Sequence, residues 1–373
     1  MRRVSALLVT GFVALAFLRT VSADDPAPQY EAGDVKVPPA TADEPVIEFS
    51  LEKASQHLDH GSVAWGQQRN CVSCHTNGTY LFIRPALTPT LGTPGTATRD
   101  FFVSQLRMLS EQETRKLKRG GTRPAQVIYI AAGLAEWDAH VSKQLSPETD
   151  QALRLMFELQ NDEGTWFSLT CWPPFESSAY QEAHMAAMAV ASAPGWVESL
   201  PADDAVRGRI DLLKKYIRET ATPHDYARIL RLWTALRLDG ILNADQKAET
   251  TKLLLSKQQA DGGWSIRQFG EPEQWGEGNR AAKLRAEPEF ASPPSDGHMT
   301  GLALLVLQES GMSSNSPELQ RGLDWIRKNQ RESGRWWTRS LNTDKWHFIT
   351  YSGTAYPLLA LQNANAISAG KNE

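Results

Sequence analysis

The sequence predicts an all-α chain of about six helix pairs, one outer and one inner helix in each, enough to close a ring. Two observations carry that expectation. The string Gln-x3-Gly-x-Trp occurs three times, at 160–166, 258–264 and 330–336, and a unit that recurs at long spacing marks a repeat architecture. Each copy follows an amphipathic stretch and precedes a second stretch of different character, rich in Ala, Gly and apolar residues.

In chain order, residues 51–68 read as the first outer helix. Residues 77–87 are its inner partner, weakened by Pro85 and Pro89. The second pair is 98–119 and 123–140. The third, 149–159 and 176–191, brackets the first Gln-x3-Gly-x-Trp turn. The fourth, 204–219 and 224–238, keeps the rhythm without the motif. The fifth, 244–257 and 296–309, and the sixth, 317–329 and 352–362, carry the other two copies. Gly supplies the left-handed turn past a helix end. The Gln amide can tie down free backbone groups there, and the Trp covers the turn. Stretches such as Ala-His-Met-Ala-Ala-Met-Ala-Val are apolar on several sides, so the second helix of each pair is expected to be enclosed by others.

The ends of the chain have a different character. Met1-Arg2-Arg3, an apolar run to Leu18 and the small residues Val21-Ser22-Ala23 predict a cleaved secretory signal over 1–23. The run is short for a membrane span, and no later stretch is apolar enough for one, so no span is expected after cleavage. Losing the leader changes the balance from 39 basic and 43 acidic residues to 36 against 43, a net of about −7. That sign argues against nucleic acid as a partner. Residues 24–48 read as a Pro/Ala/acidic linker, 49–366 as the helical body and 367–373 as a tail. Three cysteines in an exported chain are too few for a disulfide scaffold. Two lie in Cys71-Val72-Ser73-Cys74-His75, leaving Cys171 alone.

The three Gln-x3-Gly-x-Trp turns between alternating helices resemble those of the terpenoid cyclase and protein prenyltransferase family, with squalene-cyclase-like repeats. The resemblance covers most of residues 50–365 and implies a single (α/α)6 toroid with a central cavity. It does not bring the family's chemistry with it. Squalene and hopene cyclases use an Asp-x-Asp-Asp acid, and the nearest string here is Pro201-Ala202-Asp203-Asp204, where carboxylates suit a helix start. The zinc site of the prenyltransferases needs an Asp-x-Cys that Cys171 lacks, and the Cys-x-Glu-Gln of thioester proteins is missing.

Cys71-x-x-Cys74-His75 supplies a different chemistry. Two thiols so spaced can add to the two vinyl groups of one haem c, and the adjacent imidazole then ligates iron. A zinc site would need a fourth ligand, and a redox disulfide would expect a thioredoxin-like setting. The motif follows the first outer helix, in the slot where later repeats carry Gly-x-Trp, so the haem is expected at the mouth of the ring. The distal ligand is expected from His347, His298 or His184, all near inner-helix starts, with Met299, Met185 and Met188 as thioether alternatives; an open iron is the remaining case. Asp296 and Asp225 suit helix caps, Trp336, Trp337 and Trp346 can line a pocket, and Arg339 and Lys345 can meet propionates. The expected function is electron transfer with a redox partner protein. The alternatives are a haem-dependent enzyme acting on an apolar or isoprenoid-like small molecule, and a ligand-binding ring with a structural or sensory haem.

Overall fold

The computed structural model describes residues 28–170, 172–344 and 346–367. The expected leader, Cys171, Lys345 and the end of the tail lie outside the described residues. Among the described residues the chain is predominantly helical, with two short strands. Outer helices are α1 (Leu51–Arg69), α3 (Ala97–Ser110), α5 (Pro147–Leu159), α7 (Ala205–Glu219), α9 (Ala244–Ser256) and α11 (Pro317–Lys328). Inner helices are α2 (Asn77–Ile83), α4 (Arg123–Trp137), α6 (Ala179–Ser192), α8 (Asp225–Arg237), α10 (Gly297–Glu309) and α12 (Ser352–Asn363).

Burial separates the two sets. Nearly every residue of α4, α6, α10 and α12 is buried, whereas α7 and α11 bury a single stripe. Successive inner helices pack on one another from α2 to α12, and α12 packs back on α2. The tightest of these contacts, α10 on α12, depends on glycine. A Cβ at Gly301 would overlap Pro357, and one at Gly297 would overlap Trp336 and Gly353.

The three repeated turns are built alike. In each the Gln Nε2 donates to the Gly carbonyl four residues on, at 3.1, 2.8 and 2.8 Å for Gln160, Gln258 and Gln330. The same nitrogen also donates to a carbonyl of the next outer helix: Arg209 in α7, Glu318 in α11, and Ser50 at the start of α1. Each Trp Nε1 donates back to the carbonyl ten residues earlier, at 2.7–2.8 Å. Gly164, Gly262 and Gly334 take φ of +94°, +93° and +88°. A Cβ on any of them would strike the backbone of that next helix, at Leu212, Arg321 or Lys53. One motif thus ends a helix and docks its neighbour, and the last copy joins α11 to α1.

Several boundaries differ from expectation for local reasons. The stretch 98–119 breaks at Ser110, with a separate short helix at Thr114–Lys118. After α4 the chain winds as one π turn, Asp138–Ser142, where the Asp138 carboxylate accepts from Ser146 N and Oγ and from Thr149. Helix α6 starts at Ala179 rather than 176, because Ser178 caps it by accepting from Gln181 N. Past Ile83, α2 tightens to a 3-10 turn, Arg84–Leu87, around Pro85. Two carboxylates read as caps act so: Asp204 accepts from Val206 N at 2.9 Å and Asp296 from Met299 N at 2.8 Å. Asp225 does not: His224 takes the cap position, its Nδ1 accepting from Ala227 N at 3.0 Å, and Asp225, one residue inside the helix, pairs with Arg228 and Lys257.

The stretch expected as a linker is docked from Tyr30 onward. Strands β1 (Tyr30–Ala32) and β2 (Val35–Val37) pair antiparallel and pack on α1, burying Tyr30 and Val37. The buried Arg335 guanidinium donates to the carbonyls of Pro38 and Pro39, and Ile47 N donates to Gln330 O. Composition alone missed this because a few apolar anchors and free backbone groups are enough when a preformed surface receives them.

Candidate functional site

The segment 70–76 links α1 to α2. Asn70 ends α1 in the left-handed region, φ +48°, with its N–H on Gly66 O at 3.0 Å. Two side chains then hold the loop. Trp65 Nε1 donates to Cys71 O at 3.1 Å, and Asn77 Nδ2 donates to the same carbonyl at 3.2 Å. Asn77 Oδ1 accepts from Ser73 N at 2.8 Å. Gly78 is required here, because a Cβ would overlap Ser73 O and the Tyr129 ring.

Within this frame Cys71 is half-buried and Cys74 buried. Burial raises the Cys71 thiol, offset in part by Trp65, Arg69 and Arg123. Cys74 Sγ lies 4.0 Å from Glu176 Oε2. His75 Nδ1 sits 2.8 Å from Thr76 Oγ1, which leaves Nε2 for a ligand. Its ring stacks on Phe348, with centroids 4.4 Å apart and planes 14° apart, and meets the edge of Trp65 at 5.0 Å. Burial pushes this imidazole down to about 3, so it is neutral and able to ligate a metal near pH 7.

A cavity of about 190 Å³ adjoins the segment, lined by Cys71, Cys74, His75, Thr122, Gln126, Trp172, Glu176 and Phe348 among others. These residues come from the entrances to α2, α4, α6 and α12. Trp172, 38% exposed, forms the outer wall, its ring 6.3 Å from His75.

The three candidate distal histidines lie elsewhere, and none lines either cavity that His75 borders. His298 is buried with both ring nitrogens engaged. Ser352 Oγ, which donates to Ile349 O, accepts from Nδ1 at 2.7 Å, so Nε2 accepts from Tyr226 OH at 3.1 Å. His184 Nδ1 lies 2.7 Å from Thr234 Oγ1 across the α6–α8 contact. His347 Nδ1 accepts from Ser340 N at 3.2 Å, beside the Trp337 ring, and the imidazole also hydrogen-bonds the Asp344 backbone. It is the next residue, Phe348, that reaches His75. Of the thioether candidates, Met185, Met188 and Met299 are core residues. Arg339 pairs with Asp344 and Glu287.

Sequence reasoning missed Trp65, Phe348, Trp172, Gln126 and Glu176. Phe348 had a weak signal, adjacency to His347. Glu176 had none, because its place depends on α6 starting late and on its own φ of +44°. Burial lifts the Glu176 carboxyl to about 7.

Among the described residues no group of three or more His, Cys, Asp or Glu is placed to hold a metal ion, and no helix is long and apolar enough to cross a membrane. The chain matches no family profile and no curated protein.

Proposed function

We propose that this chain is an exported c-type haem protein, a single (α/α)6 toroid that displays one haem c at its mouth for electron transfer. The toroid reading is supported by the inner helices, whose contacts run from α2 to α12 and return to α2, and by Gln330, which joins the last turn to Ser50 at the start of α1. The haem reading rests on one observation above the rest. The Cys71-x-x-Cys74-His75 segment borders a cavity with His75 Nδ1 already taken by Thr76, as a metal-binding imidazole requires of its second nitrogen.

The residues fit the group. Cys71 and Cys74 would hold it through two thioethers, and His75 Nε2 would be its iron ligand. Phe348 and Trp65 fix the imidazole plane, and Trp172 and Phe348 provide apolar walls. Bound there, haem supplies one-electron redox chemistry. The protein's part is to hold the ligand plane, limit water and bring the site to the surface, and the half-exposed Trp172 ring serves the last.

A second reading, a haem-dependent enzyme with an open iron position, is favoured by the absence of all three distal candidates from the cavities beside His75. One preparation tests both. The protein made in a host able to attach haem c should carry the added mass of one haem, and Cys71→Ala and Cys74→Ala should each leave a single thioether. Finding only apoprotein overturns the proposal. Rapid carbon monoxide binding to the reduced protein would select the enzyme reading; no binding, with a six-coordinate spectrum, selects electron transfer.

A further inference from the structure

Where the β1–β2 hairpin docks beside the last repeated turn, it closes a cavity of about 280 Å³ that shares no residue with those bordered by His75. Three elements line it. Helix α1 presents Lys53, Gln56, His57 and His60, positions i, i+3, i+4 and i+7 of one helical face. Strand β2 brings Lys36, and the turn after α11 brings Glu332 and Ser333.

The fold leaves most of these side chains unengaged. Lys36, Gln56, His57 and His60 make no side-chain hydrogen bond or ion pair among the described residues, although Lys36 stands opposite Glu31 in the hairpin. Lys53 Nζ donates once, to Glu332 O at 3.1 Å, and an ammonium group has three protons to give. His57 is the buried member, 7% exposed, with its ring fixed against Tyr351 at 4.6 Å and 24° and its Nε2 without a partner. An unpaired buried nitrogen is destabilising, and the cavity is the side from which the imidazole is open.

The charges favour an anion. Two ammonium groups line the cavity against one carboxylate, that of Glu332. Burial, with the charges of Arg335 and His60 behind it, holds the His57 imidazole well below its ordinary value, so it is neutral and carries one N–H. Glu52 and Asp59 of α1 line a neighbouring groove, and Asp59 is held there by Tyr80 and Arg84. A metal fits less well, because no third His, Cys, Asp or Glu is grouped with His57 and His60 among the described residues.

We propose that this cavity binds a phosphate group, with Lys36 and Lys53 supplying the charge and Gln56, His57 and His60 the remaining donors. Donors arriving from three elements suit a group with several acceptor oxygens, and lysine meets phosphate as a point charge without a fixed plane. A volume of about 280 Å³ has room for a small molecule esterified to it. The site is independent of the haem, so it stands or falls apart from the proposed function.

The test is isothermal titration of the full chain with sodium phosphate, against sodium acetate and sodium chloride at equal ionic strength. Phosphate should bind with a defined stoichiometry of one while the other two salts do not. Glycerol phosphate is the second probe: tighter binding than inorganic phosphate identifies an ester as the ligand, and weaker binding identifies the free ion. Lys36→Gln and Lys53→Gln, both at exposed positions, should fold normally and each weaken binding about ten-fold, the value of one hydrogen bond to a charged group. His57→Phe, which keeps the stacking on Tyr351, should weaken it as well. Glu332→Gln should strengthen it, and Lys215→Gln on α7 should leave it unchanged. A response to acetate equal to that for phosphate, or wild-type binding in both lysine variants, would overturn the proposal.

Discussion

The turn after α11 and the turn after α1 occupy the same place in their repeats and use their residues in opposite ways. After α11, Gln330 binds Gly334 O and Ser50, Trp336 returns to Ile326 O, and Gly334 lies on the backbone at Lys53. Every polar group of the motif is committed to the fold. After α1, Cys71, Cys74 and His75 stand where that motif would be, and their support comes from outside it, from Trp65 and Asn77. A repeat can release one turn for chemistry if flanking residues take over its backbone bonds. Holding the fold is then delegated to the copies that keep the motif.

The sharpest way to break this comparison is to damage a committed turn. Gly334→Ala forces a side chain onto a residue at φ +88° and into the backbone at Lys53. Left-handed strain and overpacking together are expected to cost roughly 3 kcal/mol or more, at the seam between α11 and α1. Urea unfolding should show a large drop in midpoint, and Gly164→Ala and Gly262→Ala should behave alike. A loss below about 1 kcal/mol in all three would mean that the turns are not what docks each outer helix on the last.

A second test concerns the inner imidazoles, which belong to the fold as His75 does not. Burial holds His298 and His184 down at about 3, from an ordinary value of 6.5. The folded state therefore binds fewer protons than the unfolded chain between those values. The contribution to stability is full above pH 6.5 and shrinks as pH falls towards 3, by about 1.4 kcal/mol per unit for each group. Replacing His298 by Gln removes one such group, so its acid limb should be shallower than that of the wild type by about that slope. Stability curves in urea from pH 7 to 4 provide the measurement, and parallel limbs would refute the assignment of a neutral, doubly hydrogen-bonded His298.

The two regions were also unequally legible. Gln, Gly and Trp of the repeated turn each meet a demand that few other residues can meet, so three copies exposed the pairing of the helices and most boundaries to within a few residues. The Cys-x-x-Cys-His segment announced a chemistry but not its surroundings. Trp65 and Asn77 look like ordinary members of α1 and α2. Glu176 was read as the first residue of an inner helix, because only the Ser178 cap shows that the helix starts later. That Phe348 rather than His347 meets the His75 ring is settled by one residue of register, in a loop without periodicity.

The smallest effect is expected where the two turns differ most, at Asn70. It holds the left-handed position that ends α1, at φ +48°, and its Oδ1 accepts a hydrogen bond of 3.3 Å from Gln105. Replacing it by Gly relieves the cost of a side chain in that region but forfeits the bond and adds freedom to the unfolded chain. These terms are each about 0.5–1 kcal/mol and oppose one another. Asn70→Gly should therefore lie within about 0.5 kcal/mol of the wild type, although it sits in the turn that corresponds to Gly334. The contrast carries the meaning. Gly334 cannot accept a side chain because another helix lies on it, whereas Asn70 already carries one in the left-handed region, hydrogen-bonded to Gln105. If Asn70→Gly proved as costly as Gly334→Ala, the first turn would be holding the fold as tightly as the others, and its release for chemistry would have to be given up.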